Sequence, residues 1–164
     1  MPRERKILVI GLGNPWEEYR LNRHNVGQLF LDSVESKSRD IKLLKNDTFM
    51  NEAGGFVKKW ATKYWPNETK LTNLYIVHDD LDIRLGEYKI NLAKGPQLHY
   101  GIQSVEEALE TDDFWRVRIG IDNRDPVNRT IGEDYVLQDF TREELQLLDN
   151  LFPRIWEDLQ KKLT

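Results

Sequence analysis

Residues 7–25 read ILVIGLGNPWEEYRLNRHN, and this stretch decides the fold. It begins as an apolar run between Lys6 and Gly11, the pattern of a central strand buried on both faces. Gly11 and Gly13 allow a tight turn, and Pro15 stops any extended continuation. The chain then delivers the polar triplet Arg23, His24, Asn25. A strand that ends in a glycine turn and presents a polar cluster is how an α/β protein builds a site.

Working outward, residues 23–38 place Val26, Leu29, Phe30 and Val34 on one helical face. Residues 41–45 are a short strand, and residues 46–48 supply turn and cap chemistry for a helix over 49–64. Gly54 and Gly55 weaken the start of that helix by about 1 kcal/mol each, which points to close backbone approach there. Residues 74–78 are the second buried strand, ending in the acidic run 79–82. Residues 86–92 and 114–121 alternate as strands do, residues 93–101 are an irregular loop, and residues 102–109 are a helix. After a polar loop at 122–130, Leu145, Leu148, Leu151, Phe152, Ile155 and Leu159 form a helical stripe. Thr141 is its expected N-cap, and Pro153 is expected to kink or split it. Interleaved strands and helices without an interior linker predict a single α/β domain over 1–164, a mixed sheet flanked by helices.

Composition excludes several classes. No apolar run approaches the roughly 20 residues that span a bilayer, and no apolar segment with a cleavage site follows the charged start. The chain has no cysteine, so disulfides, thiolate catalysis and cysteine metal sites are excluded, and a cytoplasmic location is expected. Net charge is −4, and residues 133–164 hold eight acids against four bases, so the remainder is balanced. A wholly basic nucleic-acid surface is excluded, though a local basic patch is not.

Gly11 and Gly13 supply part of a dinucleotide fingerprint, but Trp16 stands where its third glycine belongs. His24 is one of three histidines, and its best acidic partner is Asp79, just past a strand end where sites collect in open sheets. A carboxylate on one imidazole nitrogen fixes the tautomer and raises the basicity of the other, so such a pair can deprotonate water. The bland alternative is a surface His24 and an Asp79 that caps a turn. No nucleophile is evident, and the histidines lie too far apart in sequence for ligand spacing, so no metal is expected. Asn51 offers an amide at a helix start, able to donate and accept, beside a Thr48 that could simply cap.

Taken together, GLGNP at 11–15, Tyr19, RHN with VG at 23–27, TFMN at 48–51, HDDLD at 78–82, RIGI at 118–121 and DYVL at 134–137 resemble the bacterial-type peptidyl-tRNA hydrolase family. The matches run in family order over nearly the whole chain. The resemblance implies cleavage of the ester between a peptide and the terminal ribose of tRNA, without cofactor or metal, by a cytoplasmic monomer whose partner is peptidyl-tRNA. It makes His24 the general base and Asp79 its orienting carboxylate. It gives Asn14 and Asn51 the peptide end and the water, and lets Tyr19 and Phe49 line the site. Acceptor-stem phosphates would fall on Lys89 and Arg118, helped by Arg116 and Lys94. The chain departs from the family where AKGPQLHYG at 93–101 puts Tyr100 in place of an asparagine, where Trp16 replaces a glycine, and where Asn91 replaces a base. The segment between His24 and Asn51 is shorter by about a hairpin's worth of chain. A non-catalytic RNA-binding relative, like a plant organelle splicing factor, is the alternative that the altered loop suggests.

Overall fold

The computed structural model describes residues 5–93, 95–96 and 98–163. Five strands form one sheet in the order β2-β1-β3-β5-β4, where β1 is Ile7–Gly11, β2 Ile41–Lys45, β3 Leu71–Arg84, β4 Tyr88–Leu92 and β5 Phe114–Asp122. The first four strands in that order run parallel, and β4 closes one edge antiparallel to β5. The mixed α/β sheet is therefore as expected. Helices cover both faces, as parallel strands require. Helix α1 (Val26–Asp32), α4 (Gly132–Val136) and α5 (Arg142–Leu163) pack on one face, around Phe30, Tyr135, Phe152 and Ile155. On the other face α2 (Ala53–Tyr64) and α3 (Tyr100–Leu109) pack through Val57, Ala61, Ile102 and Val105. No helix of the described residues is long and apolar enough to cross a membrane.

Several elements differ from expectation for local reasons. The predicted helix over 23–38 opens as a 3-10 turn, Arg23–Asn25, and α1 stops at Asp32, where Ser33 turns its hydroxyl back onto the Phe30 carbonyl at 2.6 Å. The strand expected over 74–78 runs on through the acidic stretch to Arg84, because β5 pairs beside it as far as Asp122. Thr48 caps nothing; the 3-10 turn Met50–Glu52 precedes α2 instead. Pro153 neither splits nor ends α5, since it lies on the exposed side, where water can satisfy the freed carbonyl of Asp149. Helix α4 had no signal beyond the DYVL motif. Only Gly54 explains the glycine pair: a Cβ there would fall 2.1 Å from the Ser104 carbonyl oxygen of α3, whereas Gly55 faces open space.

Gly27 sets the geometry that matters most. A Cβ on it would sit 2.3 Å from the Val77 carbonyl oxygen, so α1 lies flush on β3 at that point. The turn before α1 is thereby held against the far end of β3.

Thr141 does cap α5. Its Oγ1 accepts the Glu144 amide at 3.2 Å, while Glu144 Oε1 accepts the Thr141 amide at 2.8 Å, a reciprocal capping box. Thr141→Ala should lower stability by about 1 kcal/mol, read as a lower urea midpoint with an unchanged slope.

Candidate active site

Strand β1 ends at Gly11, which pairs with Val77, so β3 continues past it and Asp79 emerges beyond the end of its neighbour. Asp79 is buried, and a buried carboxylate needs partners. It has two. His24 Nδ1 donates to Oδ2 at 2.8 Å, and His99 Nε2 donates to Oδ1 at 2.7 Å. Burial alone would push the Asp79 pKa up, but the attraction and hydrogen bonds of both imidazoles hold it well below the usual carboxylate range. Burial likewise disfavours the His24 imidazolium, yet the facing charge and hydrogen bond of Asp79 outweigh it and raise the His24 pKa.

His99 is the residue that the sequence reading missed. It is the N-cap of α3, and its Nδ1 accepts the Ile102 amide at 3.1 Å. A nitrogen that accepts carries no proton, so Nε2 bears it and can only donate to Asp79. The tautomer of His99 is thus set by a helix terminus. The remaining histidine, His78, lies beneath, its ring centroid 5.0 Å from that of His99. Its Nδ1 donates to the Asp79 carbonyl at 2.7 Å, and burial first, then His99, lowers its pKa to about 3. His78 therefore stays neutral under the dyad at ordinary pH.

Distance along the chain was the reason no metal was expected, and the fold removes that reason. One ligand atom each from His24, Asp79 and His99 lie within 4.8 Å of one another. In the geometry present, both Asp79 oxygens already receive N–H groups and the second nitrogen of His99 serves α3. The cluster is self-satisfied as a hydrogen-bonded relay.

The turn that carries His24 is anchored on all sides. Arg23 is not a site residue but a buried tie: Nη2 donates to Glu144 Oε1 at 2.7 Å, and the guanidinium lies 4.0 Å over the Tyr135 ring. Asn22 Nδ2 donates to Asp139 Oδ1 at 2.6 Å, and Arg23 N to the Gln138 carbonyl at 3.0 Å. Asn25 bonds both backbone groups of Asn14 at 2.9 Å. This last pair locks the glycine turn of 11–14 to the histidine turn.

Asn14 is buried, and its Oδ1 accepts the Met50 amide at 2.9 Å, which leaves its Nδ2 donors without a partner among the described residues. Tyr19 and Phe49 meet edge-on, ring centroids 6.4 Å apart. Trp16 joins them at 6.2 Å from Tyr19 and 4.9 Å from Phe49, so the residue that broke the nucleotide motif completes an aromatic shelf. Asn51 is exposed on the turn before α2. Tyr100 is half exposed, and its hydroxyl reaches Glu133 on α4 at 3.3 Å.

Among the basic residues, Lys89 is exposed and paired in register with Arg118. Arg118 compensates the buried Asp80 at 2.7 Å and donates to Asn91 at 3.0 Å. Arg116 is buried against Glu106 and the carbonyls of Asp112 and Phe114, away from solvent. Lys94 lies outside the described residues.

A family model described as peptidyl-tRNA hydrolase matches residues 8–164. The peptidyl-tRNA hydrolase of Pseudothermotoga lettingae is 36% identical, with 92% of this chain and 86% of that protein covered. That of Neisseria meningitidis serogroup C is 31% identical, with 95% of each covered. The crystal structure of peptidyl-tRNA hydrolase from Acinetobacter baumannii shares the fold, with a TM-score of 0.77 over 98% of this chain and 93% of that one at 22% identity.

Glu144 is predicted to hold the site from a distance. Glu144→Ala would leave Arg23 buried and unpaired, at a cost of about 3–5 kcal/mol. Calorimetry should show the loss; a melting temperature within a degree of the wild type would remove Arg23 as the anchor of the His24 turn.

Proposed function

We propose, for a chain that belongs to the peptidyl-tRNA hydrolase family, that it cleaves the ester joining a peptide to the terminal ribose of tRNA with His24 as general base. Membership makes it a hydrolase of carboxylic esters; the assignment of residues is our reading. The observation that carries it is the 2.8 Å bond between His24 Nδ1 and Asp79 Oδ2. With Nδ1 donating, neutral His24 keeps its lone pair on Nε2. That nitrogen takes a proton from water as the oxygen attacks the ester carbonyl, and Asp79 stabilises the imidazolium that forms. The Nδ2 donors of Asn14 suit the peptide carbonyl or the developing oxyanion, and the Asn51 amide suits the peptide or the water. Collapse of the tetrahedral intermediate expels the ribose oxygen, which recovers the proton from His24. Tyr19 and Phe49, with Trp16 beside them, flank the substrate, and Tyr100 borders it from α3.

Neither a cofactor nor a metal takes part in this scheme. The tRNA phosphates meet Lys89, with Arg118 behind it, and the enzyme works as a monomer in the cytoplasm, where translation supplies its substrate. The non-catalytic RNA-binding alternative draws support only from the changed loop, and the intact dyad gives it none.

His24→Ala should lower kcat by about 10²–10⁴-fold while tRNA binding persists. The wild-type rate should rise with pH through a midpoint above the ordinary histidine value of about 6.5, because the base must be neutral and Asp79 raises its pKa. Asp79→Asn removes the attracting charge, so the midpoint should move down along with the rate. A flat rate from pH 5 to 8, measured by peptide release, contradicts His24 as the base.

A further inference from the structure

Strand β2 is one edge of the sheet, and it lies within the shortened segment between His24 and Asn51. Charge is spread unevenly around this edge. Residues 37–64 hold seven bases against three acids, in a chain whose net charge is −4. Neither β2 nor the adjoining α2 contains an acid. A row of lysines on one helix is ordinarily a solvated face whose charge is balanced by ion pairs. Here Asp40 pairs with Lys6 at 3.9 Å and Asp32 with Lys45 at 2.7 Å. Among the described residues no carboxylate pairs with Arg39, Lys42, Lys58, Lys59 or Lys63.

Two of those lysines are held by rings instead. Strand β2 alternates, so Lys42 shares the α2 face with Leu44. On α2, Phe56, Trp60 and Tyr64 recur at every fourth position and are half-buried. The Lys42 Nζ lies 4.7 Å from the Trp60 ring centroid, and the Lys63 Nζ lies 5.0 Å from it. Trp60 and Tyr64 stack on each other, centroids 6.2 Å apart and planes 19° apart. An ammonium on a ring face is ordered yet keeps its full charge, whereas one on a carboxylate is neutralised. Below them, Ser38, Arg39, Lys42 and Tyr64 help to line a cleft of about 270 Å³. Arg39, Lys42, Lys63 and Lys59, the last one helical turn from Lys63, therefore form a track of uncompensated cations beside two stacked rings.

Position separates this track from the dyad. It begins where β1 and β2 begin, at the paired Ile7 and Ile41, whereas Asp79 lies past the other end of β1. It also lies on the sheet edge opposite β4, which carries Lys89. None of its residues lines the cavity of about 620 Å³ beside His24 and Asp79.

We propose that the β2–α2 edge binds a single-stranded polynucleotide, at a place distinct from the catalytic centre. Cations spaced along a strip attract a phosphate chain. Half-exposed stacked rings among them suit unpaired bases, since every base has a face to stack, while a duplex keeps its bases covered. An acidic protein segment would engage the cations but gain nothing from the rings. The proposal does not depend on the assignment of His24 as base.

The test follows a labelled oligoadenylate of about ten nucleotides by fluorescence anisotropy at rising salt. Affinity should fall with salt at a log–log slope of about −3, from four phosphate contacts at about 0.7 each. The double variant Lys42→Glu, Lys63→Glu, at two exposed positions, should lose about tenfold or more in affinity. Lys42→Arg with Lys63→Arg should keep it, and so should Lys89→Glu on the opposite edge. Peptide release from peptidyl-tRNA by the glutamate double variant should match the wild type, which keeps this proposal apart from the hydrolase reading. No binding at low salt, equal affinity in the glutamate double variant, or a loss that follows Lys89→Glu instead would overturn the proposal. Equal affinity for a duplex of the same length, or for polyglutamate of equal charge, would overturn the assignment to an unpaired strand.

Discussion

A single buried carboxylate governs this molecule. Asp79 carries a charge in a place from which water is excluded, and such a charge persists only when donors surround it. The fold meets that demand with an imidazole on each oxygen, one from the turn before α1 and one from the cap of α3. Because those helices lie on opposite faces of the sheet, the carboxylate ties both layers to the strand between them. The proposed chemistry draws on the same demand. A carboxylate that cannot relax into solvent exerts its full pull on His24, which is what a weak base needs to take a proton from water.

Placing the three groups within hydrogen-bond range asks much of the backbone. Strand β3 must overrun β1, and it does so because β5 runs alongside it. The histidine turn must approach β3 closely, and Gly27, with no Cβ to strike the Val77 carbonyl, permits that contact. The turn must also keep its shape without regular helical bonds. Arg23 does this by reaching Glu144, which is itself fixed by its role in the capping box of α5. The C-terminal helix thus reports on the active site through one arginine, although no residue of α5 borders the cavity.

Much of this was legible from the residues. The apolar runs between Lys6 and Gly11 and over 74–78 read as buried strands, and the stripe from Leu145 to Leu159 reads as an amphipathic helix. The pairing of His24 with Asp79 followed from strand-end position and family resemblance, and the structure places them in contact. Other features had no local signal. The polar residues 79–84 do not look like a strand, because their β conformation comes from pairing with β5. His99 sits in a stretch that reads as loop, and both its roles depend on partners that folding brings to it, the Ile102 amide and Asp79. Arg23 looked like part of the polar site because its partner, Glu144, lies 121 residues away. Trp16, which argued against a nucleotide, gave no hint that Phe49 and Tyr19 would be its neighbours.

The relay at Asp79 can be observed directly by nitrogen-resolved NMR on uniformly ¹⁵N-labelled protein, which titrates His24 and His78 and reads the neutral tautomer of His99. The account predicts three distinct behaviours. His24 should titrate with a midpoint above about 6.5 and carry its neutral-form proton on Nδ1. His99 should hold its proton on Nε2 and give an accepting signal on Nδ1, while His78 should remain neutral down to a pH near its value of about 3. A His24 midpoint below the ordinary histidine value, or a neutral His24 with its proton on Nε2, would contradict the relay and with it the assignment of the base.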